Sequence, residues 1–545
     1  MAVKTPTPTP TSTSTTNHGL ILDQERSEYS PLLTSRNTSQ STLLESSNAA
    51  NIANVQLDNE TDIGYMDMIK QETMWLVPAI VPMSFTYLCL SSFNFVSLLA
   101  VGRLGVTELA GVSLGIMLAN FLVLMPGFGF SATLDSFCYS AFTACEDKTQ
   151  VGFHARRGIV AITTLVVPIA VLFIFIDPLL VMTGQSPEVA YECGRFLRIW
   201  MLGSWPQLVF DCLRRFVNAQ GNVKPGTYIM FIALPIHVAN SYFLVWSPTV
   251  GMGVVGAPIA TAITHWSMLV MMTVYICFSK ARFAWGSASL DCIDGISEFY
   301  HYAIPSALMM ASSWAAYEVV TFGASLFGPV ALSAQACIFN LMCLTYQVPA
   351  ACGASAAIRI GHSLGEGKQR RARYSSAISI SMGYVFGIGC STLLFIYRHQ
   401  IGYLYCDDID VVEMCSALIP YFASVQTYDG LNGLVDSLMR SLGKQDLSVY
   451  MSIPAFWCLG VPLGYYLALG PMQMETVGLW IGLSLGVVVY SITQQVFVLF
   501  YIDWRHEVKV CLERLAKAAP VQNPIDNANS LSAATLNGYG SSSPA

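Results

Sequence analysis

The sequence predicts an all-α membrane protein: twelve transmembrane helices in two six-helix lobes related by pseudo-two-fold symmetry. Three observations lead there. Of 545 residues, 54% are hydrophobic and only 11% charged, against about 25% charged in an ordinary soluble protein. The apolar runs suit spanning helices, which need about 20 residues each, and they lack the alternation of membrane β-strands. The chain is also written twice. Pro82, Gly105, Leu109 and Pro126 recur 223 residues later as Pro305, Gly328, Leu332 and Pro349, and Gly221, Val255 and Gly256 recur 222 later as Gly443, Val477 and Gly478.

The elements follow in order. Residues 1–70 form a Thr/Ser/Pro/Asn-rich tail that cannot bury a core and is expected to be disordered. It holds Glu28-Tyr29-Ser30-Pro31-Leu32-Leu33, similar to an acidic dileucine sorting signal read by an adaptor, and no cleavable signal peptide. The first lobe spans 71–280, with apolar segments near 74–100, 110–137, 158–181, 190–213, 227–248 and 253–278. Residues 281–299 are a polar inter-lobe linker. The second lobe spans 300–502, with segments near 300–326, 331–357, 375–397, 413–438, 447–469 and 476–502. Arg195, Arg198 and Asp429 make the fourth and tenth segments the weakest. Residues 503–545 begin with a basic amphipathic stretch, Trp504 to Lys517, expected to lie against cytosolic lipid headgroups.

Basic residues fall mostly on the side of the termini, among them Arg156, Arg157, Arg214, Arg215, Lys280, Lys368, Arg370, Arg371 and Lys444. The opposite loops hold Arg103, Arg195, Arg198 and Arg398. The positive-inside rule then puts both termini in the cytosol. With six helices per copy, both copies enter the membrane in the same direction, so the pseudo-axis runs along the membrane normal. The fifteen cysteines form no CxxC or Cys/His ligand spacing and read as small packing residues. No nucleophile–base or metal constellation stands out, so the chain reads as neither an enzyme nor a nucleic-acid binder. Duplicated membrane halves are instead the architecture of secondary transporters.

Ionisable groups inside spans are costly and mark function. Asp211 and Asp436 lie near segment ends beside Arg214, Arg215 and Arg440 and read as interfacial ion pairs; Asp135 reads as a cap or helix–helix contact. Glu318 and Asp429 lie some 16 residues into the seventh and tenth segments. Desolvation favours the protonated form of such a carboxyl, which lets a proton and a cation compete for one negative charge. Trp314 and Tyr317 neighbour Glu318, Tyr428 and Asn432 flank Asp429, and Asn340, Tyr346 and Gln347 lie on the eighth segment. Aromatic rings near a carboxylate suit organic cations. His237 and His265 read as packing or helix–helix hydrogen bonds, and Pro349 as one of several helix bends.

Five motifs in order carry a resemblance over residues 72–500. They are Gly129–Cys138 with Ala141-Phe142; Asn218–Gly221; Trp314–Glu318; Leu332–Gln335 through Val348-Pro349, Ala356–Gly361 and Leu364–Gly367; and Asp429–Arg440 with Gly443–Gln445. The chain resembles the multidrug and toxic compound extrusion (MATE) transporters of the eukaryotic branch, with a fungal source expected. It departs from them at Ser140, at Ser437 and Ser441, and in having no acidic residue between Glu72 and Glu108. The resemblance implies a MATE fold and export of organic cations, xenobiotics or metabolites in exchange for protons, by rocking of the two lobes. Glu318 and Asp429 would couple protons, with H+ preferred over Na+ and no cofactor. Trp314, Tyr317, Asn340, Tyr346, Gln347, Tyr428 and Asn432 would contact substrate. Asp135, Pro349, Arg359, Asp436 and Arg440 would be structural or gating residues. A monomer in the vacuolar membrane, rather than the plasma membrane, is the expectation. A lipid-linked glycan flippase and a narrow metabolite transporter are the alternatives.

Overall fold

A computed structural model describes residues 64–101, 106–182, 184–248, 251–286, 293, 296–405 and 408–518. The dileucine-like segment and the C-terminal polar tail lie outside the described residues. Every regular element among the described residues is helical. The first lobe comprises α1 (Tyr65–Val101), α2 (Gly111–Ala144), α3 (Thr149–Ile174), α4 (Pro187–Ala219), α5 (Lys224–Trp246) and α6 (Gly256–Phe278). The second comprises α7 (Ile296–Ser325), α8 (Pro329–Gly365), α9 (Gln369–Ile396), α10 (Ile409–Leu442), α11 (Gln445–Leu469) and α12 (Glu475–Tyr501). A final helix, α13, runs Trp504–Ala518. Helix α7 begins inside the stretch expected to be linker.

Among the described residues, nine of the twelve lobe helices are long and apolar enough to cross a membrane. The three lobe helices that fall short are α4, α7 and α10. In α4 and α10 the reason is burial: most residues of each are enclosed by neighbouring helices rather than lipid. Protein surroundings tolerate Arg214, Arg215, Asp429 and Asp436 where hydrocarbon would not.

Local sequence sets the ends and bends. Ser186 caps α4 and Asp408 caps α10 by accepting backbone N–H bonds from Val189 and Asp410. Gly443 ends α10 at φ 76°, the left-handed conformation that favours glycine. The Pro82 carbonyl in α1 accepts from both Thr86 Oγ1 and Thr227 Oγ1 at 2.9 Å, tying α1 to α5. One apolar core fills the second lobe around Val320, Ile338, Phe422 and Trp480. A larger one runs through the first lobe and crosses to Ala356, Ile360 and Leu438.

Helix α13 departs from the sequence expectation. Its apolar face, Trp504, Val508, Cys511, Leu512 and Leu515, is buried in the larger core rather than turned to lipid headgroups. Arg514 is buried too. It donates to the Leu442 carbonyl at 3.1 Å, and its guanidinium lies 5.7 Å from the Phe137 ring and 5.6 Å from that of Tyr302. Amphipathicity shows that one face seeks an apolar surface; here that surface is protein. Gly443 lies under the Arg514 guanidinium, where a Cβ would collide with Nη1. Gly443→Ala is therefore expected to cost about 1–3 kcal/mol from the left-handed backbone alone. The check is a lowered apparent melting temperature in detergent, with α13 released to proteolysis.

Candidate functional site

The site is built on the seam between α8 and α10. Small residues let the two backbones approach. A Cβ at Gly430 would meet the Pro349 ring, one at Gly433 the Tyr346 hydroxyl, and one at Gly353 the Leu434 backbone. Pro349 thus packs against Gly430, the residue after Asp429. The seam turns one polar stripe of α10 inward: Asp429, Asn432, Asp436 and Arg440, spaced i, i+3, i+7 and i+11, share a helix face.

That stripe lines a second-lobe cavity. Helix α7 contributes Met310, Ser313, Trp314 and Tyr317; α8 contributes Met342, Cys343 and Tyr346; α11 contributes Phe456. The Tyr317 hydroxyl donates to Asp429 Oδ1 at 2.5 Å. Asp429 Oδ2 and Asn432 Oδ1 are buried with no hydrogen-bond partner, and such groups normally have one. Trp314 and Tyr346 meet edge-on, with centroids 6.2 Å apart. The free volume is about 60 Å³, well below the roughly 300–1,000 Å³ of a small-molecule pocket. In this state the cavity suits a proton or water; an organic cargo needs it to widen.

The structure therefore brings together Trp314, Tyr317, Tyr346, Asp429 and Asn432. It does not bring in Glu318, Asn340, Gln347 or Tyr428. Glu318 is half-buried on α7 one position past Tyr317, and its side chain is not part of the lining. Asn340 is exposed and donates to the Ala336 carbonyl, and Gln347 to that of Cys343. The Tyr428 carbonyl accepts from Ser491, and its ring packs against the lobe core.

Asp436 corrects the interfacial reading. It is buried in the cavity wall, where Oδ1 accepts from Tyr490 and from Gln494, each at 2.7 Å. Neighbouring Arg440 in the sequence suggested a loop ion pair; the i+7 spacing from Asp429 was the signal for a shared face. In the first lobe, His237 lies within hydrogen-bond distance of Thr264 Oγ1 and the Phe93 carbonyl, and His265 of the Gly203 carbonyl. Both are helix–helix contacts.

The lobes meet at the end that carries the chain termini. Arg359 forms a bidentate pair with buried Glu72, at 2.8 and 2.6 Å, and Arg371 lies 3.7 Å from the same carboxylate. Thr143 donates to the His362 carbonyl, Ser136 donates to the Arg440 carbonyl, and His362 Nε2 lies 2.7 Å from the Ala219 carbonyl. Asp135 pairs with Arg215 at 2.5 Å, and Arg215 and Arg214 both hold Asp211. A further inter-lobe hydrogen bond, between Thr164 Oγ1 midway along α3 and the Tyr300 hydroxyl near the start of α7, lies deeper along the first lobe.

Comparison with known proteins agrees with this architecture. The MatE family model matches residues 82–243 and again 305–466. The two matches are offset by 223 residues, the spacing of the repeated prolines and glycines. The chain belongs to the MatE family. An uncharacterized transporter of Schizosaccharomyces pombe is 31% identical over 448 residues, covering 82% of this chain and 84% of that protein. Multidrug and toxin extrusion protein 1 of Homo sapiens is 26% identical, covering 77% and 72%. Among solved structures, the eukaryotic MATE transporter AtDTX14 superposes with TM-score 0.77 at 25% identity, covering 82% of this chain and all of that one. A Vibrio cholerae MATE transporter at 19% identity shares the fold, with TM-score 0.74. MatE proteins are membrane transporters, and this one is an integral membrane transporter.

Removing one partner of a buried ion pair costs about 3–5 kcal/mol. Arg359→Ala is expected to loosen the terminal seam of this MatE protein, read as faster amide exchange at the start of α1. Arg359→Lys, which keeps the charge but not the fork, is expected to fall between.

Proposed function

We propose that this protein is a proton-coupled antiporter that exports organic cations or metabolites from the cytosol, with Glu318 and Asp429 holding the coupling proton. The observation that carries the reading is Asp429: a buried carboxylate with one oxygen held by Tyr317 and the other unpartnered, inside a cavity walled by Trp314, Tyr317 and Tyr346. A carboxylate there is stabilised by a proton or by a cation, and the two compete for it. The rings offer cation–π contact to the second class of ligand.

The closed terminal seam supports an outward-facing state in this export cycle. With the termini in the cytosol, as the basic loops suggest, the lobes are closed on the cytosolic side. The cavity then exchanges with the opposite, acidic side, where protons displace cargo. Opening the cytosolic side requires the Glu72–Arg359 pair to part. In this reading Glu318, half-buried one position from Tyr317, takes the proton on from Asp429 when α7 rotates. The multidrug and toxin extrusion relatives support export of drugs or toxins, and two acids against one arginine in the cavity support cationic cargo over an anionic lipid-linked glycan. The acidic dileucine-like segment supports the vacuolar membrane.

The test is uptake of ethidium, a permanently charged organic cation, into proteoliposomes with an acidic interior. Wild type is expected to accumulate it with the gradient. Asp429→Asn and Glu318→Gln are each expected to lose gradient-driven uptake by about 10²-fold, the scale of losing an essential proton-transfer group. Gradient-driven uptake at the wild-type rate in both variants would overturn the reading.

A further inference from the structure

Arg440 belongs to two places at once. Its side chain lines the second-lobe cavity one helical turn beyond Asp436. Its Nε also lies 3.7 Å from Oδ2 of Asp135, on α2 of the other lobe. Nη2 donates to its own helix, to Ser437 Oγ at 2.8 Å, while Nε is buried without a hydrogen-bond partner. A guanidinium usually forms close, forked bonds to a carboxylate. Here it sits between two carboxylates and forms a fork with neither.

Those carboxylates are unequally supplied. Asp135 already has a cation of its own: Arg215 donates to its Oδ1 at 2.5 Å, and Arg215 is anchored in turn by Asp211. Asp436 has only neutral donors, Tyr490 and Gln494, both from α12. The other groups around it are Tyr346 from α8 and Asp429 and Arg440 from its own helix. Arg440 is thus the sole cation among the residues lining the cavity, against two acids, Asp429 and Asp436. Asp429 and Asp436 lie seven residues apart, about 10 Å along the helix. A ligand at Asp429 and the arginine at the far end therefore act on the same enclosed charge.

We propose that Arg440 is a shared counter-charge that links the contents of the cavity to closure of the terminal seam. An empty, ionised cavity draws Arg440 toward Asp436 and withholds it from Asp135. A proton on Asp436, or a cation in the cavity, removes that pull. Arg440 then engages Asp135 and tightens the seam, where the Ser136 hydroxyl already meets the Arg440 carbonyl. The seam does not close firmly over an empty site. Asp436 is a positioning residue in this device: it acts through Arg440. The cation arm rests on the transport reading above, whereas the Asp436–Arg440–Asp135 linkage does not need cargo.

The test is amide hydrogen exchange on the full chain in nanodiscs, read in peptides covering 134–145 and 436–445, with ethidium as the probe. Without ethidium, Asp436→Asn is expected to slow exchange in both peptides about ten-fold relative to wild type, within the usual range of coupling between sites. Asp436→Ser is expected to do the same, guarding against a fault particular to one substitution. Asp135→Asn is expected to speed exchange and to abolish any effect of Asp436→Asn in the double variant. A merely structural Asp436 predicts the opposite sign: faster exchange on its removal. Equal or faster exchange in both Asp436 variants overturns the proposal, whatever ethidium does. Slower exchange in them supports the linkage even if ethidium leaves the wild type unchanged, and that second result would count against the cation-binding reading instead.

Discussion

The constraint on which the structure turns is the cost of placing charge among apolar helices. Isolated charges there are expensive, so each must be enclosed by protein and given partners. The α8–α10 seam is how this chain meets that cost. Gly353, Gly430 and Gly433 bring the backbones together, and the close approach turns the polar face of α10 toward α7 and α12 instead of lipid. Tyr317, Tyr490 and Gln494 then supply donors to Asp429 and Asp436. Asp429 Oδ2 and Asn432 Oδ1 remain unpartnered on the cavity face.

A second group of charges does different work. Glu72, Arg359 and Arg371 at one place, and Asp135, Arg215 and Asp211 at another, hold the two lobes or their helices at the terminal end. These networks pair acid with base closely, so they stabilise contact rather than invite a ligand. Helix α13 adds an apolar cover to the same end through Val508 and Leu512 and inserts Arg514 between Phe137 and Tyr302. The functional and the structural charges can be told apart by what they lack: the cavity acids lack close cations, and the seam acids do not.

Much of this was legible in the sequence. The 223-residue offset between Pro82 and Pro305, and between Pro126 and Pro349, foretold the two lobes, because a duplicated chain keeps its helix bends in register. Asp429, Trp314 and Tyr317 were legible as a group because a charge so far into a span has few other reasons to exist. Depth along a helix does not reveal which face a residue takes, and so Glu318 and Asn340 were grouped with a cavity they do not line. Asp436 was misread because Arg440 lies close in sequence; its i+7 relation to Asp429 carried the better signal. The Glu72–Arg359 pair joins residues 287 positions apart, and nothing local in either segment announces it. The amphipathic pattern of Trp504–Lys517 was correct as far as it went, but a hydrophobic face does not specify whether lipid or protein will cover it.

The central claim is that one buried carboxylate serves proton and cargo by turns. Calorimetric titration of the purified protein with ethidium, in buffers of different ionisation enthalpy, counts the protons released on binding. Competition at Asp429 predicts proton release in wild type and its loss in Asp429→Asn. Ethidium binding with no proton release in wild type, at any pH where the protein is folded, would contradict the account.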